Sequence, residues 1–493
     1  MNRIVPKFLQ TRAALVFILA LGLFAMAARA VTDPDAWWHL RTGQLILQTH
    51  HIFRTDPYSF TRAGQTWINH EWLSQVLMFS IYRWLGYAGL IVGFAAVVAI
   101  AFFIVFLRCE ARPYFAALFT VWGAAASAST WGVRPQMLSL LLASIFLLVL
   151  ERSSRRPRLL WWLPPLILLW VNLHAGYALG IGLIGLFICG EILNLVFGSE
   201  SWESIYSRLK QLSLALLVCV AVVPLNPNGA RMYIYPWQTL SSSAMQLYIQ
   251  EWASPNFHQA MYLPFLLMVL ALLAALAYSP RHLRPHDLLL LAVTLYAALR
   301  SVRHIPIFML VAAPILSRLI HSILQQRPQK KKEDTHSPAK LAFNAVLLVG
   351  IALFAFWRVN FIVRSQPATE ARDFPVAAVS FLVTNFPPAP LLNHYNWGGY
   401  FIWKLYPKYR VFVDGRADLY GDTFLNRLAD IYYIRHNWED EFAATKVCSV
   451  MLPPDAPLIS ALRERPAWKV IYSDKQAVVL TRTANCSPAS PAY

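Results

Sequence analysis

Eleven apolar runs, each about long enough to cross a bilayer as a helix, leave this chain of 493 residues little choice of fold class. They fall at roughly 13–31, 88–107, 113–130, 136–150, 159–173, 177–197, 211–224, 262–278, 286–300, 305–320 and 341–358. Composition agrees: 57% of residues are hydrophobic and 14% charged, too little charge to cover a soluble globule of this size. With 20 Gly, 31 Pro and 5 Cys, collagen-like and disulfide-scaffold classes are excluded, and disorder with them. The expected fold is an α-helical polytopic membrane protein of about eleven transmembrane helices.

Charge orients it. The net charge is +18, and 29 of the 43 Lys/Arg against 13 of the 25 Asp/Glu precede Val359, so the basic excess belongs to the membrane part. No basic stripe is interleaved with exposed aromatics, which argues for no nucleic acid partner. Arg3, Lys7 and Arg12 precede the first run and place the N-terminus in the cytoplasm. Alternate loops then carry Arg108/Arg112, Arg152–Arg158, Arg208/Lys210, Arg281/Arg284 and Arg327–Lys340, all on the cytoplasmic side. An odd number of crossings sends the C-terminal segment outside. Ala28-Arg29-Ala30 also fits the cleavage pattern of a signal peptide, a second reading of the first run that leaves the topology beyond Val31 unchanged.

Three regions are expected outside the cytoplasm: 31–86, rich in Trp, His and acid; about 225–261; and the tail from Val359. The tail reads as a small α/β domain. Ala377–Val383 and Leu425–Tyr433 look helical, while Val411–Val413, Val447–Leu452 and Val478–Thr481 look like strands. Cys448 and Cys486 would face an oxidising compartment there and could pair.

The strongest chemical signal is Asp33-Pro34-Asp35-Ala36-Trp37-Trp38-His39, directly after the first run. Two carboxylates one residue apart, near apolar surface, have raised pKa values, which suits a general base or a cation site. Trp37 and Trp38 suit the lipid–water boundary. The structural alternative is that Asp33 or Asp35 caps an interfacial helix running through Leu40–Leu47. The same loop continues with Arg54-Thr-Asp56-Pro-Tyr-Ser-Phe and with Trp67-Ile-Asn-His70-Glu71-Trp72-Leu73. His70 and Glu71 open an amphipathic segment reaching about Trp84; Glu71 is either a charge at a helix start or a third carboxylate of the site. His39, His70 and the carboxylates could ligate a divalent cation such as Mg or Mn, most simply at Asp33 and Asp35, but no spacing is diagnostic of a metal.

Polar residues at the outer ends of the apolar runs are further candidates for substrate binding: Arg134, Asn172, His174, Arg300, Arg303 and His304. Arginines on the side where topology does not ask for positive charge suit a phosphate at headgroup level. Pairing with Glu251 or Asp287 is the structural alternative. In the tail, Trp397-Gly-Gly399 and Asp414-Gly-Arg416-Ala-Asp418 mark tight backbone at a strand end, equally a ligand contact or an internal Asp–Arg pair. No P-loop, G-x-S-x-G or H-E-x-x-H motif occurs.

Asp33-Pro-Asp35-x-Trp-Trp-His39, followed by Thr55-Asp-Pro-Tyr-Ser-Phe60 and Glu71-Trp-Leu73, resembles the first outer loop of bacterial GT-C membrane glycosyltransferase-like proteins. The resemblance implies a transmembrane domain over 1–358, with its large first outer loop at 31–86, and a periplasmic domain over 359–493. It implies an inner-membrane enzyme that takes a sugar from a polyprenyl-phosphate donor and passes it to an acceptor glycan, lipid or protein. It assigns an acidic catalytic role to Asp33 or Asp35, and to Glu71 by its place in the same loop. The tail motifs resemble uncharacterised relatives of the same group. The alternative function is a non-catalytic protein of the same fold that transports or assembles lipid-linked glycans. A transporter should carry paired repeats with helices interrupted at mid-depth, whereas here the acids cluster at the membrane surface.

Overall fold

The computed structural model describes residues 10–198, 200–325, 337–483 and 486; Arg3, Lys7 and the Lys330–Lys332 run lie outside the described residues. Contacts divide the chain into two compact units. One gathers Met1–Arg29, Ile91–Asn226 and Gln250–Val363; the other gathers Ala30–Leu90, Pro227–Ile249 and Arg364–Tyr493.

Every one of the eleven apolar runs falls on a helix. Seven described helical segments are long and apolar enough to cross a membrane: Trp72–Arg108, Gln136–Ser153, Tyr177–Phe197, Trp202–Leu225, Ala260–Tyr278, Val302–Gln325 and Pro338–Asp373. The other four runs form the shorter helices Thr11–Ala27, Pro113–Ser127, Leu163–Leu173 and Pro285–Arg300. Trp72–Arg108 changes direction at Gly86, whose φ of 59° and ψ of −153° suit a residue without a side chain. That break divides the amphipathic start from the apolar run. Within the first unit the helix Ile305–Gln325 is buried on nearly every face and packs against Pro113–Ser127, Leu263–Tyr278 and Pro285–Arg300. Buried ion pairs tie helix ends together: Arg108 holds both Glu151 oxygens at 2.7 and 2.9 Å, and Arg318 meets Asp287 at 2.7 Å.

The second unit carries a four-stranded sheet of β1 (Leu391–Asn393), β2 (Ser449–Leu452), β3 (Trp468–Ser473) and β4 (Val478–Arg482), in the order β1-β2-β4-β3. β1 and β2 run parallel, with Leu392 opposite Val450; the other pairings are antiparallel, with Val450 opposite Leu480 and Leu480 opposite Val470. β2 is buried at all four positions, as its unbroken apolar run requires, whereas edge strand β3 exposes Lys469 and Val470. Helices form at Val376–Asn385 and Ala417–Tyr432, covering both segments expected to be helical. Val411–Val413 corrects the expectation of a strand: it makes a single bridge, Val411 with Ser59 of the outer loop, and no ladder. Cys448 and Cys486 form a disulfide.

The core of this unit joins loop and tail. Trp37 and Trp38 pack with Tyr58, Trp67, Phe374, Tyr400, Phe401 and Met451 in one buried cluster. Trp37 lies edge-on to Tyr400 at 5.1 Å and to Phe374 at 5.3 Å, and it is wholly buried. The two tryptophans are therefore core residues, not an interfacial belt; a belt residue keeps one face open. Trp37→Ala is expected to cost about 3–5 kcal/mol of this unit's stability, and Trp37→Phe distinctly less. Thermal unfolding followed by near-UV circular dichroism measures the difference, and equal melting of all three proteins would contradict the packing.

Candidate functional site

The acidic motif begins the helix Ala36–Thr49, and its two carboxylates divide the work. The Asp35 amide donates to Asp33 Oδ1 at 2.9 Å, and the Ala36 amide donates to the Asp33 carbonyl at 3.2 Å. Asp33 thus forms the turn that starts the helix. Asp35 occupies the cap position, but its side chain makes no capping hydrogen bond. It accepts instead from Trp38 Nε1 at 3.0 Å. The cap reading describes Asp33 and leaves the Asp35 carboxylate for something else.

Tail backbone closes over that carboxylate. A Cβ on Gly415 would stand 1.7 Å from Asp35 Oδ1, and one on Gly399 would stand 2.2 Å from the Pro34 carbonyl oxygen. Gly398 lies equally tight against Val413 O. The Tyr395 hydroxyl donates to the Gly415 carbonyl at 3.3 Å. Burial raises the Asp35 pKa most, the neighbouring Asp33 charge adds to it, and Glu71 and Asp414 contribute further against the Trp38 donor; the result is about 8. The Asp35 residue as a whole is half-buried, while its carboxyl is desolvated.

Glu71, immediately before the helix Trp72–Arg108, bridges two histidines: Oε2 to His39 Nε2 at 3.3 Å and Oε1 to His70 Nε2 at 3.0 Å. Burial pulls His39 down to about 4, beyond what Glu71 restores, so this ring is neutral near pH 7. Burial also opposes charge on His70, but the adjacent Glu71 and then Asp418 outweigh it and raise its pKa. The His70 ring lies 4.5 Å from that of Tyr235, whose hydroxyl donates to Asp418 Oδ2 at 3.1 Å. Burial raises the Asp418 carboxyl as well. Tyr235 and Tyr395 carry no motif that could have drawn attention to them; only folding brings them here.

The Asp414-Gly-Arg416 motif resolves into an internal pair. Arg416 donates to Asp414 Oδ1 and Oδ2, both at 2.7 Å, meets Asp56 at 2.8 Å, and is sandwiched between Tyr58 and Trp67. These contacts hold the loop backbone that carries Gly415.

The remaining predicted residues belong to the first unit. Arg134 pairs with Glu251 at 2.6 Å, the structural partner the sequence offered. Arg303 lies over the Trp252 ring at 4.9 Å, and Ser254 Oγ donates to the Arg300 carbonyl, so the turn Gln250–Ser254 gathers Arg134, Arg300 and Arg303. His304 lies 6.3 Å from Trp252. Asp287 pairs with Arg284 and Arg318 instead. Asn172 accepts from Asn226 at 3.4 Å, and His174 Nδ1 sits 2.8 Å from Ser139 Oγ and accepts from the Gly176 amide. Those two order the turn after Leu173.

Among the described residues no three His, Cys, Asp or Glu side chains are arranged to hold a metal ion. Asp33 and Asp35 offer two carboxylates, while Glu71 is engaged by the histidines. The side chains present do not by themselves fit a divalent-cation cage.

No family model and no curated protein matches the sequence. Solved structures do. The archaeal oligosaccharyltransferase AglB from Archaeoglobus fulgidus, in complex with an inhibitory peptide and a dolichol-phosphate, aligns with a TM-score of 0.55 at 12% identity over 90% of this chain and 70% of that one. ArnT from Cupriavidus metallidurans, bound to undecaprenyl phosphate, aligns with a TM-score of 0.51 at 13% identity over 97% and 99%. The Archaeoglobus fulgidus oligosaccharyltransferase in complex with Zn and sulfate gives 0.51 at 13% over 88% and 67%. The chain has the GT-C fold. In the GT-C setting, the loop carrying Asp33 and Asp35 is the segment whose motif resembled that group in sequence.

Because the folded Asp35 pKa lies above its unfolded value near 4, the folded protein keeps a proton that the unfolded chain has lost. Stability should therefore fall as pH rises from about 4 to about 8. Asp35→Asn has no such proton to lose. It is expected to melt above the parent near neutral pH, the gap widening towards pH 8. Calorimetry across that range reads it; a gap independent of pH would contradict a desolvated carboxyl.

Proposed function

We propose that this protein is an integral membrane glycosyltransferase that moves a sugar from a polyprenyl-phosphate-linked donor to an acceptor glycan, lipid or protein, with Asp35 as general base. The observation that carries the reading is the Asp35 carboxyl: pushed to about 8 by burial and the neighbouring Asp33, and given one donor hydrogen bond by Trp38. The GT-C fold supports the reaction class, and two neighbours of that fold were solved with dolichol-phosphate or undecaprenyl phosphate. In the proposed step the ionised Asp35 takes the proton of an acceptor hydroxyl. The oxygen attacks the anomeric carbon, and the bond from that carbon to the phosphate oxygen breaks with its electrons leaving on the phosphate. Asp33 supports the base by holding the Asp35 backbone and by the negative field that raises its pKa. Glu71, held between His39 and His70, adds to that field. A divalent cation on Asp33 and Asp35 would need water for its other ligands, because among the described residues no third His, Cys, Asp or Glu joins them as a ligand group.

The basic loops support an orientation with a cytoplasmic N-terminus and the tail outside, in a bacterial inner membrane. A non-catalytic transport or assembly protein would not need a carboxyl tuned in this way, so the enzyme reading is preferred.

Positioned general bases contribute roughly 10²–10⁴-fold, and Asp35→Asn should lower turnover by that factor with unchanged expression. Asp33→Asn should cost less. For the parent, kcat/KM should climb with pH to about 8 and then level, because the base works ionised. Sugar transfer in reconstituted membranes tests both, and full activity in the double variant would refute the assignment.

Arg300, Arg303 and Arg134 are proposed to receive the donor phosphate, with His304, Asn172 and His174 at neighbouring span ends. A charge-assisted hydrogen bond to phosphate is worth roughly 1.5–3 kcal/mol, so Arg303→Ala should weaken donor binding about tenfold or more. Arg303→Lys should restore it only in part, since the planar fork is lost. Donor titration of the purified variants reads the effect, and wild-type affinity in Arg303→Ala would place the phosphate elsewhere.

A further inference from the structure

The first unit holds a cavity of about 50 Å³ among Gln136–Ser153, Tyr177–Phe197, Trp202–Ala221 and the start of Pro285–Arg300. Glu151, Phe187, Glu191, Arg208, Arg284 and His286 line it. Its charges are unevenly satisfied. Both Glu151 oxygens are held by Arg108, and Glu191 accepts from Arg208 at 2.8 Å. The acids are therefore already neutralised. The donors are not: Arg208 Nε and both ring nitrogens of His286, one of which carries the N–H of the neutral imidazole, are buried and have no hydrogen-bond partner among the described residues. The His286 side chain is nine-tenths buried, and Asp287 Oδ1 stands 3.8 Å from its Nε2, beyond hydrogen bonding.

The histidine cannot turn away to find a partner. Its ring stacks on Phe187 at 4.7 Å, and a Cβ on Gly190 would stand 2.5 Å from His286 Cβ, so the helices Tyr177–Phe197 and Pro285–Arg300 are pressed together beneath it. Leaving a buried donor unsatisfied costs about 1–3 kcal/mol, so two side chains fixed in that state at one cavity call for an occupant that accepts hydrogen bonds. The level of the cavity narrows the choice. Its wall includes Pro157 and Leu160, and the next residues, Trp161 and Trp162, are exposed as interfacial tryptophans are. The neighbouring loops hold Arg152–Arg158 and Arg281, the basic surroundings that attract anions at headgroup depth.

We propose that this cavity binds a phosphate ester, with His286 and Arg208 Nε donating to its oxygens and Arg284 supplying further positive charge. The site does not rest on the transfer reaction, and none of its residues belongs to the machinery described above. The phosphate could arrive on a phospholipid headgroup or free in solution, and the test separates these sources. The full-length chain, purified and stripped of lipid, is titrated with dioleoylphosphatidylglycerol and, as a control with the same tails and no phosphate, with dioleoylglycerol. Native mass spectrometry counts the bound molecules.

The parent should retain the phospholipid at least tenfold more tightly than the diacylglycerol. His286→Phe keeps the stacking on Phe187 and removes both nitrogens, and should lose about tenfold. Arg208→Lys keeps a charge towards Glu191 and Glu200 but removes Nε. It should lose a similar factor, and it serves if the buried histidine variant does not fold. Displacement of the lipid by excess inorganic phosphate would identify a site that also takes free phosphate; persistence would identify a headgroup site needing its tails. Either supports the proposal. Equal retention of phospholipid and diacylglycerol, or parental affinity in the folded variants, would overturn it.

Discussion

The second unit depends on a contact that no side chain could survive. Gly399 and Gly415 bring tail backbone so close to Pro34 and Asp35 that a methyl group at either position would collide with a carbonyl or carboxylate oxygen. Because the backbones meet at that distance, Trp37 can reach the rings of Phe374 and Tyr400, and Asp35 is walled off from most of its water. Apolar burial pulls loop and tail together, and the glycines set how near they come. A third segment joins the same unit: Ser242 and Ser243 donate to Asp422, the latter through its amide at 2.9 Å. Three stretches far apart in sequence thus make one compact body.

The membrane part was legible because its physics is local. Twenty apolar residues in a row must form a helix in lipid whatever else the chain does, and each such run is helical here. The fold class and the motif-level resemblance to GT-C proteins were both readable on that footing. The tail was less legible. Its long helices and the strands β2 and β4 announced themselves through apolar runs, but β1 has only three residues, and β3 is an edge strand with mixed polarity. Val411–Val413 looked like a strand since it is apolar, yet its neighbours are loop backbone and not a sheet. The tryptophans misled for a related reason. Trp suits an interface and a core equally well, and only the long-range partner decides.

Within the acidic motif, the sequence could say that two carboxylates were close but could not say which one was already occupied. Asp33 is drawn into the turn and Asp35 is not, a distinction set by a backbone hydrogen bond and a buried indole. Glu71 could equally not be sorted between helix charge and site carboxylate. It sits at the helix start, and its oxygens go to His39 and His70, so both readings describe part of it. The two histidines are shifted in opposite directions although they share one partner: burial outweighs Glu71 at His39, whereas at His70 Glu71 and Asp418 outweigh burial.

The same unit contains two buried carboxylates that make an internal comparison. Asp414 accepts from Arg416 at both oxygens and from the Tyr420 hydroxyl, so its charge is matched and every donor is spent on holding the chain. Asp35, beside it across Gly415, accepts among the described residues from Trp38 and faces the negative charge of Asp33. Replacing a carboxylate with a full set of donors should damage the fold. One with too few donors gains by taking a proton from whatever hydroxyl reaches it, and replacing it should spare the fold. Since Arg416 fixes the loop that presents Gly415 to Asp35, the satisfied pair is what keeps the unsatisfied one desolvated. Structural and chemical roles are thereby assigned to neighbouring acids by counting their donors.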